Sequence, residues 1–242
     1  MVLALMTSTR KGFVGMTGIR FAGMFRRCRP WVAATAMVAL VGLPAGCDQV
    51  VRPSRDVESR TYEVDAFDEI DTGDGWRVDV RIGSPQSVVL ESDDNVLDAT
   101  AVDVSQGRLS ILLKMDTLRP TVLQATITVE SLEEIAASGG ARVEVAGLDM
   151  DSLALDLSGQ ARVTAQGRVE KLVIDLSSGA RVDGSELETG SVQVSMSGGA
   201  QADLQVRESV VGSVSGSAQL HVSGNPGEVD VDSSGGAAVD IR

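Results

Sequence analysis

Six stretches of the chain repeat one phrase: ASGGARV at 137–143, LSGQARV at 157–163, LSSGARV at 176–182, MSGGAQA at 196–202, VSGSAQL at 214–220 and SSGGAAV at 233–239. The alanine common to all six falls at Ala141, Ala161, Ala180, Ala200, Ala218 and Ala237, which gives intervals of 20, 19, 20, 18 and 19 residues. A period near 19 in strand-forming sequence is the mark of an all-β solenoid in which each repeat makes one coil. No window carries a sustained helical apolar rhythm, and a short helical turn is plausible only at Asn95 to Thr100.

Stacking the repeats on these alanines sorts the sequence into columns. Two residues after each alanine stand Val143, Val163, Val182, Ala202, Leu220 and Val239, and four after stand Val145, Ala165, Gly184, Leu204, Val222 and Ile241. Six before stand Ile135, Leu155, Ile174, Val194, Gly212 and Val231, and four before stand Ala137, Leu157, Leu176, Met196, Val214 and Ser233. Alternation along a strand sends these columns inward, as the two main sides of a coil. Leu148, Val169, Leu187 and Val206 suggest a shorter third side.

The repeated phrase lies between the two main strands, at a corner. Ser138, Ser158, Ser177, Ser197, Ser215 and Ser234 form one column, and the next position is glycine in five coils of six. Coils stack about 4.8 Å apart, so each corner residue meets its own counterpart above and below. Glycine supplies a positive φ where a corner needs it, and serine can hydrogen-bond along the stack or back to the turn. The serines are therefore expected to build rather than to react, since no base accompanies them.

The outward columns carry charge. Asp156 and Asp175 are followed by Ser195, Ser213 and Asp232 five residues before the alanines, and Arg142, Arg162, Arg181, Gln201 and Gln219 stand one residue after. Glu144, Thr164, Asp183, Asp203, His221 and Asp240 stand three after, and diagonal ion pairing between these last two columns is expected. His221, the single histidine, is expected to be solvated on this face.

Upstream of the repeats, period-2 runs at Trp76 to Ile82, Ser87 to Leu90, Ala101 to Val104, Arg108 to Lys114 and Val122 to Val129 predict further strands. Trp76 and Phe67 are expected to pack the first coil. Residues 61–242 thus form one β-helix domain, preceded by a polar, patternless tether at 47–60.

Residues 1–46 hold six basic side chains and no acid, which leaves 15 basic against 34 acidic residues from Cys47 onward. That balance disfavours nucleic acid as a partner. Arg26, Arg27 and Arg29 precede WVAATAMVALVGLPA, an apolar run of 15 residues, shorter than the roughly 20 a spanning helix needs. The pattern reads as an export signal, with translation starting at Met24. Its end, Leu43-Pro44-Ala45-Gly46-Cys47, looks like a bacterial lipobox, so Cys47 is the expected lipidation site. Cys28 lies in the removed segment, and no disulfide or cysteine-based metal site remains.

Motifs for chemistry are sparse. Neither a G-x-S-x-G elbow, nor a P-loop, nor a dinucleotide fingerprint, nor a calcium-binding nonapeptide occurs, so no catalytic, cofactor or metal residues are assigned. Stacked Asp156 and Asp175 are the residues a carbohydrate-active lyase or hydrolase of the β-helix type would use, and this is the alternative function.

FDEIDTGDGWRVDVRIGSPQSVVLESDDNVLDATAVDVSQGRLSILLK at 67–114, followed by TITVESLEEIAASGGARV at 126–143, resembles the bacterial putative auto-transporter adhesin head domain, the GIN domain, over Tyr62 to Arg242. The resemblance implies a right-handed β-helix and brings no catalytic motif. No auto-transporter barrel is expected, so lipid at Cys47 is the membrane attachment. The expected function is that of a lipid-anchored module of the bacterial cell envelope that binds a protein or glycan ligand, or acts as a scaffold, without catalysis. The open edge of the last strand, Ala237 to Ile241, admits self-assembly into a homo-oligomer.

Overall fold

Alternation of apolar and polar residues makes most of the folded region strand, 66% of it against 3% helix. The computed structural model describes residues 52–114 and 120–242, so the export signal, Met24 and Cys47 lie outside the described residues. In chain order the elements are β1 (Val57–Tyr62), β2 (Glu69–Thr72), β3 (Arg77–Ile82), β4 (Ser87–Asp93), α1 (Asp94–Asp98), β5 (Thr100–Ser105), β6 (Arg108–Leu113) and β7 (Leu123–Val129). They continue with β8 (Glu134–Ala137), β9 (Arg142–Leu157), β10 (Arg162–Leu176), β11 (Arg181–Met196), β12 (Gln201–Val214), β13 (Gln219–Ser223), β14 (Glu228–Ser233) and β15 (Ala238–Ile241). The five predicted strand runs and the helical turn each coincide with one of these. Strand β1 begins at Val57, so the sheet includes four residues of the stretch read as tether. Its polar alternation hid it, because an edge strand with mostly exposed residues carries little apolar signal.

The repeats form a β-solenoid of about five turns. Parallel pairing sets Val143, Val163 and Val182 on one rung, and Leu155, Ile174 and Val194 on another. The predicted inward columns are buried through most of the stack, including the third side of Leu148, Val169, Leu187 and Val206. Burial of each aliphatic side chain contributes about 1.5–3 kcal/mol, and one continuous core runs the length of the stack. Differences in coil length are absorbed at the corner between the second and third sides, where the register shifts between Gly184 and Glu188.

The repeated phrase is a tight turn. Ala141, Ala161, Ala180 and Ala218 N–H groups donate to the carbonyls of Ser138, Ser158, Ser177 and Ser215, three residues back, at 3.1–3.4 Å. Gly139, Gly159, Gly198, Gly216 and Gly235 have φ between 62° and 75°, and Ser178, the one non-glycine of that column, has φ 62°. Positive φ at the second turn residue alone is the pattern of a type II′ turn. Corners also bond to one another, with Gln160 N–H donating to Gly139 O and Gly179 N–H to Gly159 O. The backbone thus carries most of the stacking. Among the serines, Ser215 Oγ donates to the Met196 carbonyl.

The two ends differ. Strands β6 and β7 pair in parallel with β2 and β3 as an outer partial coil. Antiparallel β5, β4 and β1 then cover it, and α1 buries Val96 and Leu97. Trp76 and Phe67 are buried in the first coil, as expected, with Trp76 wholly inaccessible. At the other end β14 pairs with β12 and β15 with β13, and their outer edges are unpaired among the described residues. Val231, Val239 and Ile241 are only partly buried there. Glu228, Asp230, Asp232 and Asp240 lie on these edge strands, and charges of this kind discourage edge-to-edge pairing.

Candidate functional site

Since the residue after each inward valine on the second side must point outward, the neighbouring positions form ladders of like side chains. Arg77, Arg142, Arg162 and Arg181 are register partners on four successive coils, and all four are exposed. Gln201 and Gln219 continue the column, and Gln124 precedes it. Arg181 Nε donates to Gln201 Oε1 at 2.6 Å, and Gln201 Nε2 donates to Gln219 Oε1 at 3.4 Å.

The diagonal ion pairs expected between this column and the acidic one do not form. Among the described residues, none of the four guanidinium groups lies within 4.0 Å of a carboxylate oxygen. Several acids are engaged elsewhere: Asp79 accepts from Gln124 at 3.0 Å, Asp183 accepts from the Ser185 hydroxyl at 2.7 Å, and Asp240 pairs with Arg242 at 2.8 Å. Guanidinium groups held at the strand spacing of about 4.8 Å would repel by about 0.9 kcal/mol in water before salt screening. Among the described residues no ion pair offsets that cost, and Arg181 is held by its hydrogen bond to Gln201.

Clefts border this face at both ends of the column. One of about 390 Å³ is lined by Gly75, Arg77, Thr121, Leu123, Gln124 and Arg142 at the capped end of the ladder. The other, about 460 Å³, opens at the far end between Asp203, His221, Asp240 and Arg242. His221 is half exposed there, with Nδ1 3.7 Å from Asp240 Oδ2 and Asp203 as its register partner on the preceding coil. Among the described residues no group of three or more His, Cys, Asp or Glu is arranged to hold a metal.

Asp156 and Asp175 are brought together as register partners on the first side. Both are exposed, between the buried pairs Leu155 and Leu157, and Ile174 and Leu176. Burial of its carboxylate, then the charges of Asp175 and Glu134, push the Asp156 carboxyl above its ordinary range, and Arg108 partly offsets them. Arg108 is itself held by Glu69 at 2.8 Å and Glu134 at 3.0 Å.

Two features escaped the sequence columns. Arg77 is the first rung of the arginine ladder, but its coil turns on Gly73-Asp74-Gly75-Trp76 instead of the repeated phrase, with Trp76 N–H donating to Gly73 O at 3.1 Å. The available signal was the match of Trp76-Arg77-Val78-Asp79-Val80 to Ala141-Arg142-Val143-Glu144-Val145. The second is Asp93, fully buried at the end of β4. Its carboxylate accepts from Arg55 N–H at 2.9 Å, Thr121 N–H at 2.7 Å and the Thr121 hydroxyl at 2.8 Å. Burial alone would raise its pKa, but these bonds outweigh burial and hold it below the ordinary range.

The family described as "Putative auto-transporter adhesin, head GIN domain" matches residues 66–226, which takes in the cap, the first coil and most of the repeats. The chain belongs to that family. Solved structures with the same fold include a putative adhesin from Bacteroides fragilis, 18% identical, covering 79% of this chain and 100% of that one with a TM-score of 0.65. A putative adhesin from Parabacteroides merdae is 15% identical over 79% of this chain and 98% of that one, with a TM-score of 0.52. A putative lipid binding protein from Parabacteroides distasonis is 13% identical over 79% and 99%, also with a TM-score of 0.52. At these identities the likeness is one of fold. No curated protein matches the chain in sequence. Membership in the GIN head-domain family indicates a cell-envelope or extracellular module of adhesin type.

Proposed function

We propose that this GIN head domain is exported, anchored by lipid at Cys47, and acts by presenting the outer faces of its solenoid to an envelope or extracellular ligand without catalysing a reaction. The observation that carries the reading is the division of labour along each coil. Residues repeated from coil to coil at the corner and in the core are spent on stacking, and the outward columns are long, regular ladders suited to display. The family name supports a surface role. The charged segment, apolar run and Leu-Pro-Ala-Gly-Cys ending support export and lipidation.

Asp156 and Asp175 on an exposed strand face favour this reading over the carbohydrate-active alternative, because acid and base catalysis needs carboxylates that converge on a bound bond. The anchor is tested by metabolic labelling with radioactive palmitate. Wild-type protein is expected to take up label and sediment with membranes, and Cys47→Ser to do neither. An unlabelled wild type would remove the anchor from the proposal.

A further inference from the structure

The arginine ladder has no ion-pair partner among the described residues. Arg77, Arg142, Arg162 and Arg181 stand on consecutive rungs of a rigid stack, exposed and without a carboxylate within 4.0 Å among the described residues. They span roughly 14 Å at the inter-strand spacing. Like charges placed directly opposite on adjacent strands destabilise a sheet. Glutamine, which occupies the same column at Gln201 and Gln219, satisfies the stack by side-chain hydrogen bonds without that repulsion. Arginine at four successive rungs is therefore not demanded by the fold.

We infer that this ladder binds a linear acidic polysaccharide lying along its rungs, which names a ligand class for the binding role proposed above and rests on that reading. Three features select this ligand. Each guanidinium presents a planar fork of donors that matches a carboxylate or sulfate with two parallel hydrogen bonds. The rungs repeat at about 4.8 Å, close to the rise of one sugar residue, and since neighbouring sugars of an extended chain are turned about its axis, the acid groups on one side of the chain meet every second or third rung. The ground beside the ladder is low, because the corner on that side carries Gly75, Gly140 and Gly179, with Gln160 its long side chain and Asp74 exposed at the capped end. The cleft between Arg77, Arg142 and the Thr121 to Gln124 segment gives the chain a seat at the capped end.

The rest of the surface argues against broader polyanions. Asp79, Glu144 and Asp183 run parallel to the ladder two residues away, and the chain from Cys47 onward has 34 acidic against 15 basic residues. A membrane plane or a nucleic-acid duplex would meet those acids within a screening length of about 8–10 Å. A thin chain lying along the arginines and over the glycine corner keeps these acids to one flank, whereas a broad polyanion would cover them.

The test is calorimetric titration of the full-length protein, in non-ionic detergent, with polygalacturonate and with neutral dextran of matched length. Polygalacturonate is expected to bind and dextran not to, with affinity falling steeply between about 50 and 200 mM salt. Arg142→Gln with Arg162→Gln is expected to weaken binding at least about tenfold and to flatten the salt dependence, at a melting temperature no lower than that of wild type because like-charge repulsion is relieved. Should that pair fail to fold, Arg142→Lys with Arg162→Lys keeps the charge and loses the fork, and binding is expected to weaken severalfold. Arg168→Gln, outside the ladder, is expected to bind as wild type. Failure of wild type to bind polygalacturonate, undiminished binding by the substituted ladder, or tighter binding to phosphatidylglycerol vesicles or DNA would overturn the inference. Protein that binds isolated envelope glycan but not polygalacturonate defeats the ladder's ligand alone. Protein that binds neither defeats glycan binding as the role of these faces as well.

Discussion

Replacing Gly198 by alanine separates two costs that the corner imposes. Gly198 has φ 72°, and a Cβ there would lie 2.8 Å from the Ser178 carbonyl oxygen and 3.0 Å from Ser178 N and Cα on the coil beneath. The left-handed conformation costs an alanine about 1–2 kcal/mol, partly offset by about 0.4–1 kcal/mol from the stiffer unfolded chain. Relief of the contact means moving a backbone that the Gly199 N–H already bonds through Ser178 O, an overpacking cost of about 1–3 kcal/mol. Net destabilisation of about 2 kcal/mol lowers the melting temperature by roughly 4–8 °C in a domain this size. Gly147 is the control, because its φ is 79° and nothing lies within 4 Å of its Cβ. Gly147→Ala then bears the torsional cost alone, about 0.5–1 kcal/mol, or roughly 1–4 °C. Thermal unfolding followed by circular dichroism compares the two. Equal shifts would refute the claim that corner glycines are required by close stacking as well as by their torsion angle.

Two titrating groups give further predictions of opposite sign. Asp93 has its carboxyl held low, so its stabilisation is present above the ordinary carboxylate range and is lost as pH falls through its lowered folded value. Asp93→Asn should cost about 1.5–3 kcal/mol at neutral pH and flatten the acid limb of the stability profile, as chemical denaturation at several pH values will show. Asp156 has its carboxyl raised, so the associated stability is present below the ordinary range and lost as pH rises through its folded value. Asp156→Asn should therefore stabilise slightly at pH 7, within about 0.5 kcal/mol because the group is exposed, and have no effect in strong acid. A destabilised Asp156→Asn at neutral pH would contradict the assigned repulsion.

The solenoid was legible because periodicity survives even where single residues vary. Val143, Val163 and Val182 share a rung for the same reason that they share a column, and Ser178 could replace glycine at φ 62° without shifting the repeat. Burial of Trp76 followed from its size beside so few aromatics. Spacing gives register but not rotamer or partner choice, which is why the arginine and acidic columns were expected to pair and do not. Asp183 turns to Ser185 on its own strand, and Asp79 to a glutamine on β7, a strand reached only through the cap. The cap obeys no repeat, and its β6 and β7 pair outside β2 and β3 although they follow them in sequence. That threading concealed both Arg77 as a rung and Asp93 as a buried anchor.

The separation between residues that build and residues that display is open to one direct comparison. Gly198→Ala and the Arg142→Gln, Arg162→Gln pair should be assayed side by side for melting temperature and for binding to polygalacturonate below the transition. The corner variant is expected to melt several degrees lower and bind as wild type, and the ladder variant to melt no lower than wild type and bind at least about tenfold more weakly. Loss of binding in the corner variant while it remains folded, together with full binding by the ladder variant, would contradict the assignment of the outward arginines to recognition.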